Sequence, residues 1–182
     1  MLDAKLVADL ITVTRGFLGL VLAWLGLTQG KDALPLVTFL MILCWTGDYV
    51  DGSIARRSRN PRQTWMGNHD IQVDIFVSLG LGIYLIGAGF VTLAFGAGYM
   101  LIWALVIWHF GPDRNLLMLL QAPIYAYFMW IAVTLSPRNG RWLVLWVIAV
   151  TSISWRRFSH QVVPKFVDGM KSLWKGHTPR HS

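Results

Sequence analysis

The sequence predicts an all-α integral membrane protein in which six transmembrane helices form one bundle with a cytoplasm-facing polar cleft. Hydrophobic residues make up 55% of the 182 residues, charged residues only 14%, and the mean hydropathy is +0.51. Soluble domains carry roughly 25% charged residues, and disordered or disulfide-rich secreted chains lack so much apolar surface. The apolar residues fall into six segments of 14 to 24 residues, and a membrane span needs about 20.

Polar stretches separate the six predicted spans. A Gln-Gly-Lys-Asp break at 29–32 ends the first span, and a basic loop at 56–62 follows the second, which turns polar after residue 47 but remains compatible with a helix. Gly, Pro, Asp and Asn at 111–115, and again Pro, Asn and Gly at 136–141, are typical of loops. We predict spans at 6–27, 34–47, 67–90, 93–110, 116–135 and 142–155. No repeat or second domain is evident, so residues 1–182 are predicted to form one membrane domain.

The basic residues predict the orientation of the chain. With six spans both termini lie on one side. Apart from Arg15, which lies inside the first span, that side carries twelve of the other 15 Lys and Arg residues, against three on the opposite side. Cytoplasmic loops carry the excess of Lys and Arg, so the termini and the 56–62 loop are predicted to be cytoplasmic, in a bacterial or archaeal inner membrane. The first span lacks a clear cleavage site and is predicted to be retained.

The net charge of +7 is assigned to this orientation and to anionic membrane lipids, and no nucleic-acid partner is expected. The basic cytoplasmic tail at 158–182 interleaves apolar and basic residues. Both an amphipathic surface helix and a solvated tail fit that pattern.

Four of the nine acidic residues, all of them aspartates, lie close together at Asp48, Asp51, Asp70 and Asp74. Spacings of three and four residues place each pair on one face of a helix. We expect the two helices to be antiparallel neighbours across a short loop, so that all four carboxylates converge at the cytoplasmic boundary. Such carboxylates repel one another and need cations. Two divalent ions with oxygen ligands, about 3.5–4 Å apart, commonly promote displacement at phosphorus.

The residues beside the aspartates fit the same interpretation. Gly52 and Ala55 leave space next to the carboxylates, and Arg56 can neutralise a phosphate group. A single aspartate could equally cap a helix or lie in a solvated loop, but four at helical spacing favour a metal and phosphate site.

The pattern Asp-x-x-Asp-Gly-x-x-Ala-Arg from Asp48 to Arg56, followed by Gly-x-x-x-Asp-x-x-x-Asp from Gly67 to Asp74, resembles the signature of the CDP-alcohol phosphatidyltransferase family, class I. Ten residues separate the two halves, where the family usually has seven or eight. We expect the extra residues to bulge outward in the basic loop. The resemblance also implies six spans and a homodimer.

The resemblance implies transfer of a phosphatidyl group from a CDP-alcohol, commonly CDP-diacylglycerol, to an acceptor hydroxyl, with release of CMP. Two Mg²⁺ or Mn²⁺ ions would be held by the four aspartates, and Asp74 would also be the general base. The opening Asp9-x-x-Thr12-x-x-Arg15 is similar to an Asn-x-x-Thr-x-x-Arg segment of the family. The residues implied in donor binding are Thr12, Arg15, Gly52, Ala55, Arg56, Thr64 and Gly67. Candidates for acceptor binding are His69, Arg114, Arg156 and Arg157.

Two other functions remain open from the sequence. An intramembrane prenyltransferase also binds a diphosphate through magnesium and two aspartate-rich segments, but those segments lie far apart in its sequence. A divalent-cation transporter could use the four aspartates as an ion site. The identity of the acceptor is open: glycerol 3-phosphate, inositol or its phosphate, serine and phosphatidylglycerol are all used by proteins with this motif.

Overall fold

The computed structural model describes residues 4–57, 70–155, 159–160 and 163–174, and these residues are helical apart from short connections. No strand occurs in those ranges. A 3-10 turn at Gly30–Ala33 separates the first two helices. The seven α-helices in those ranges are α1 (Ala4–Thr28), α2 (Leu34–Arg57), α3 (Asp70–Gly87), α4 (Leu93–Phe110), α5 (Arg114–Leu135), α6 (Pro137–Ile153) and α7 (Val163–Trp174).

Within the described residues, four helical segments are long and apolar enough to cross a membrane, which supports the prediction of an all-helical membrane protein. They are Leu10–Thr28, Gly30–Val50, Leu93–Phe110 and Arg114–Leu135. The apolar part of α3, Ile71–Gly87, is shorter, and α6 has 17 residues. Large apolar side chains such as Trp24, Leu101 and Trp130 are exposed on the outside of the bundle, as lipid contact requires.

Two predicted loops are partly helical. The 136–141 stretch was expected to be a loop, but α6 already begins at Pro137. Proline is tolerated in the first helical turn, where its missing N–H would be unpaired in any case. Gly140 then lies against the backbone of α5 at Ala132 and Val133, so the two helices pack from the first turn of α6 onward. Similarly, Arg114 and Asn115 belong to α5, whose N-terminus is capped by the Asp113 carboxylate.

The bundle is organised around α1, which packs most extensively against α3 and next against α2. A Cβ atom at Gly80 would overlap the carbonyl oxygen of Gly19, and one at Gly87 would lie 2.7 Å from the carbonyl of Gly26. Both contacts keep the same seven-residue interval, so α1 and α3 run parallel with their backbones touching. Small residues allow this close approach in membranes. A Cβ atom added at Gly82 or Gly89 would have no neighbouring atom within 4 Å.

The expectation that α2 and α3 are direct neighbours is wrong for the residues that the structure describes. These two helices make few contacts with each other, and both pack on α1 instead. The core between the helices contains Leu22, Val37, Met41, Tyr84 and Phe128, all of which are fully buried. On α4, by contrast, Gly96 is the buried residue, and this helix lies at the periphery.

Candidate functional site

A cavity of about 480 Å³ lies at one end of the bundle, between α1, α2, α3 and the start of α5. It is at the end where α2 leads into the basic loop. Charged and polar side chains contribute much of its wall, together with two aromatic rings. The lining residues are Arg15, Cys44, Trp45, Asp48, Ile71, Asp74, Val77, Pro112, Arg114, Leu117, Met118, Gln121, Ala122 and Tyr125.

Arg15 joins the two halves of the aspartate motif at this cavity. Its Nη1 lies 3.2 Å from Oδ1 of Asp48, and its Nη2 donates to Oδ1 of Asp74. The Arg15 side chain is only 5% exposed, whereas those of Asp48 and Asp74 are 49% and 29% exposed. The guanidinium therefore lies beneath the two carboxylates, which remain accessible from the cavity.

Glycines on the neighbouring helices make room for this ion pair. A Cβ atom at Gly47 would lie 3.1 Å from Cδ of Arg15 and 3.2 Å from Cγ2 of Ile11, so a side chain there would press on the arginine. The contact between Gly19 and Gly80 brings α3 close enough for Arg15 to reach Asp74. The missing side chains at these glycines thus leave the space that the Arg15 guanidinium occupies.

An aromatic wall borders the carboxylates. The Tyr125 hydroxyl lies 3.4 Å from Oε1 of Gln121 and 3.5 Å from the backbone oxygen of Asp74. Trp45 meets the Tyr125 ring edge-on at 5.5 Å and stacks on Trp146 at 5.9 Å. Sequence reasoning missed these residues. The available signal was Gln121, a polar amide inside an apolar helix, because polar groups within membrane spans commonly mark functional sites.

The structure brings together some of the predicted site residues. Asp48, Asp74, Arg15 and Arg114 all line the cavity, and Thr12 is buried one turn before Arg15 on α1. Asp51, Gly52, Ala55 and Arg56 lie in the last turns of α2, and Asp70 is the first residue of α3. The predictions for Thr64, Gly67, His69, Arg156 and Arg157 fall outside the described residues.

Part of the charge compensation comes from the protein itself. The sequence led us to expect that divalent ions would offset the carboxylates, and Arg15 already pairs with two of them. Among the side chains that the structure describes, no three His, Cys, Asp or Glu residues lie close enough together to hold a metal ion. Asp48 and Asp74 nevertheless fit a divalent ion by their chemistry, because accessible carboxylate oxygens are the ligands that Mg²⁺ and Mn²⁺ prefer.

The two carboxylates, the two guanidinium groups and the aromatic wall together give the cavity its charge and its shape. In comparisons with known proteins, no family model, no curated protein and no solved structure matches the chain. The chemistry of the cavity is therefore inferred from its own residues and from the aspartate motif.

Proposed function

We propose that the chain is a membrane-embedded CDP-alcohol phosphotransferase. It transfers a phosphatidyl group, with CDP-diacylglycerol as donor, to an acceptor hydroxyl and releases CMP. The observation that carries the proposal is the convergence of Asp48 and Asp74 on one guanidinium and one cavity. Asp48 and Asp74 come from the two halves of the motif and lie on two helices with few direct contacts. The tertiary structure, and not their spacing in the sequence, therefore brings them together.

The proposed topology has α1 to α6 as six spans, with the termini and the cavity on the cytoplasmic side of the membrane. Four of these segments have the length and apolar character of spans. The cavity is lined from the half of α2 that precedes the basic 56–62 segment of the sequence, and cations of that kind are retained on the cytoplasmic side. A lipid donor can then keep its acyl chains in the bilayer while its cytidine enters the cavity from water. The homodimer implied by the resemblance is part of the proposal.

In the proposed reaction the acceptor oxygen forms a bond to the β-phosphorus of the CDP-alcohol. The bond from that phosphorus to the oxygen bridging to CMP breaks, and CMP leaves with the electron pair. The acceptor proton passes to the carboxylate of Asp74, which is accessible in the cavity. A hydroxyl is a weak nucleophile at neutral pH, and a positioned base typically accelerates such a step about 10²–10⁴-fold.

Arg15 acts in this proposal as a positioning residue. It is nearly enclosed, and its two terminal nitrogens engage Asp48 and Asp74, so it fixes both carboxylates relative to the cavity. Arg114 is exposed on the cavity wall and offers a second cation for an anionic group of the donor or acceptor. Gly52 directly follows Asp51 on α2, and Arg56 lies about one turn further along the helix. Both are proposed to contact the CDP moiety.

The divalent ions belong to the same proposal. Asp48, Asp51, Asp70 and Asp74 would hold two Mg²⁺ or Mn²⁺ ions. Bound there, the ions would supply positive charge against the negative charge of the diphosphate and of the departing CMP. The donor chemistry of Asp48 and Asp74 supports this assignment.

The test is CMP release by the purified full-length protein from CDP-diacylglycerol, with Mg²⁺ or Mn²⁺ and a panel of acceptor alcohols. We expect release that requires the metal and one acceptor, and a decrease of about 10²–10⁴-fold in Asp74→Asn. The matched control is Asp113→Asn, because Asp113 caps α5 and does not line the cavity.

Failure to release CMP with any acceptor, together with failure to bind CDP-diacylglycerol, would contradict the proposal. Metal flux into proteoliposomes would then favour the transporter, and diphosphate release from a prenyl diphosphate would favour the prenyltransferase.

A further inference from the structure

The C-terminal helix α7 has one apolar and one polar side. At about 100° per residue, six apolar residues fall within a sector of about 120°, and the two lysines, Asp168 and Ser172 lie outside it. The apolar residues are Val163, Phe166, Val167, Met170, Leu173 and Trp174.

The apolar side is partly exposed, and Phe166 on that side is half-buried. Val163 and Val167 are 41% and 40% exposed, although both are apolar residues in an ordered helix. A helix of 12 residues is too short to be stable in water by itself. The exposed apolar side therefore calls for a partner that covers it.

Contact with the bundle fixes the level of α7 relative to the membrane. α7 packs against α5, and Gly169 lies so close to Asn115 that a Cβ atom at position 169 would be 2.9 Å from Cγ of Asn115. Asn115 is the second residue of the candidate span Arg114–Leu135. α7 thus lies at the boundary where a membrane-spanning helix begins, beside Arg114 at the cavity wall.

The charge of residues 156–182 indicates which surface covers the apolar side of α7. Between residues 156 and 182 there are six Lys and Arg residues and one Asp. Positive charge beside an apolar stripe at the end of a span complements a bilayer surface with anionic headgroups. A second copy of this segment would instead bring like charges together.

We propose that α7 lies in the plane of the membrane interface, with its apolar side in the lipid and its basic residues on anionic headgroups. It would thereby form part of the rim around the cavity on the side of α5. This inference concerns the membrane surface and holds whatever reaction the cavity performs.

The test uses the full-length protein with Cys44→Ala, since Cys44 is the single cysteine and is buried. Val167→Cys and Asp168→Cys form a matched pair of adjacent positions on opposite sides of α7. Each is labelled with an environment-sensitive fluorophore and reconstituted in nanodiscs of phosphatidylcholine alone or with 30% phosphatidylglycerol. Gel filtration of each labelled protein checks that it remains folded.

We expect the label at 167 to be quenched at least threefold more by lipid-attached quenchers than the label at 168, with iodide showing the reverse. The difference should be larger with phosphatidylglycerol and should lose that lipid dependence in Lys165→Gln/Lys171→Gln. Equal aqueous accessibility of both labels in both membranes would overturn the proposal in favour of a solvated tail. Shielding of 167 that depends on two copies sharing a nanodisc, and not on lipid composition, would overturn it in favour of a protein interface.

Discussion

The helices α1 and α4 are both apolar and both long enough to span a membrane. However, α1 lies at the centre of the bundle and α4 at its periphery. α1 touches the backbone of α3 through Gly19 and Gly26 and contributes the buried Arg15. On α4 a Cβ atom at Gly98 would meet nothing, and most of the helix is exposed. Hydrophobicity therefore places a helix in the membrane, and the interval between its small residues decides whether it reaches the centre.

Removal of the buried charge on α1 should have the largest effect on stability. Arg15→Met leaves Asp48 and Asp74 without their shared guanidinium. We expect a loss of about 3 kcal/mol in the free energy of unfolding, at the low end for a broken buried pair because the carboxylates are partly exposed. Unfolding of the purified protein in detergent, followed by circular dichroism, measures the loss.

Arg114→Met is the matched control for this experiment, because Arg114 is exposed on the wall of the same cavity. It should change stability by less than about 0.5 kcal/mol. Replacement of both carboxylates by amides should restore much of the stability of Arg15→Met. Equal stability of the two arginine variants would mean that the ion pairs do not hold the bundle together.

A single methyl group at the crossing of α1 and α3 should have the next largest effect. In Gly80→Ala the new Cβ atom overlaps the carbonyl oxygen of Gly19, and the backbones must separate. Overpacking of this kind costs about 1–3 kcal/mol, and we expect about 2 kcal/mol because the obstacle is backbone. The measurement is again the midpoint of unfolding in detergent.

Gly82→Ala lies on the same helix, where nothing is within 4 Å of the added atom. Alanine favours a helix over glycine by about 0.5–1 kcal/mol, so this variant should be as stable as the parent or slightly more so. A destabilisation equal to that of Gly80→Ala would show that the loss does not come from the crossing of α1 and α3.

Apart from the control variants, the smallest loss of stability is expected beneath the cavity, at Gly47→Ala. The added Cβ atom would lie 3.1 Å from Cδ of Arg15 and 3.2 Å from Cγ2 of Ile11. Both are flexible side chains that can shift, so we expect a loss of about 1 kcal/mol or less. CMP release should fall more than stability does, because displacement of Arg15 moves both carboxylates. Unchanged CMP release would contradict the positioning role of Arg15, with Gly98→Ala as the control.

Several features of the candidate site could be predicted from the sequence because they depend on local spacing. The intervals from Asp48 to Asp51 and from Asp70 to Asp74 predicted two aspartate-bearing helices, and both helices are present. The partners of Arg15 could not be predicted, since they lie on two other helices. Trp45 and Tyr125 could not be distinguished from lipid-facing aromatic residues until the packing of α2 and α5 was known.

The sequence by itself determined that the chain is helical and apolar enough to enter a membrane. In lipid every backbone N–H and C=O must be bonded within the chain, so long apolar segments form helices whatever their neighbours. Only the tertiary structure decided that α1 lies at the centre, that α2 and α3 meet through it, and that Arg15 lies under two carboxylates. These outcomes depend on which small residues come into register between helices, and hydropathy, which scores one helix at a time, carries no information about that register.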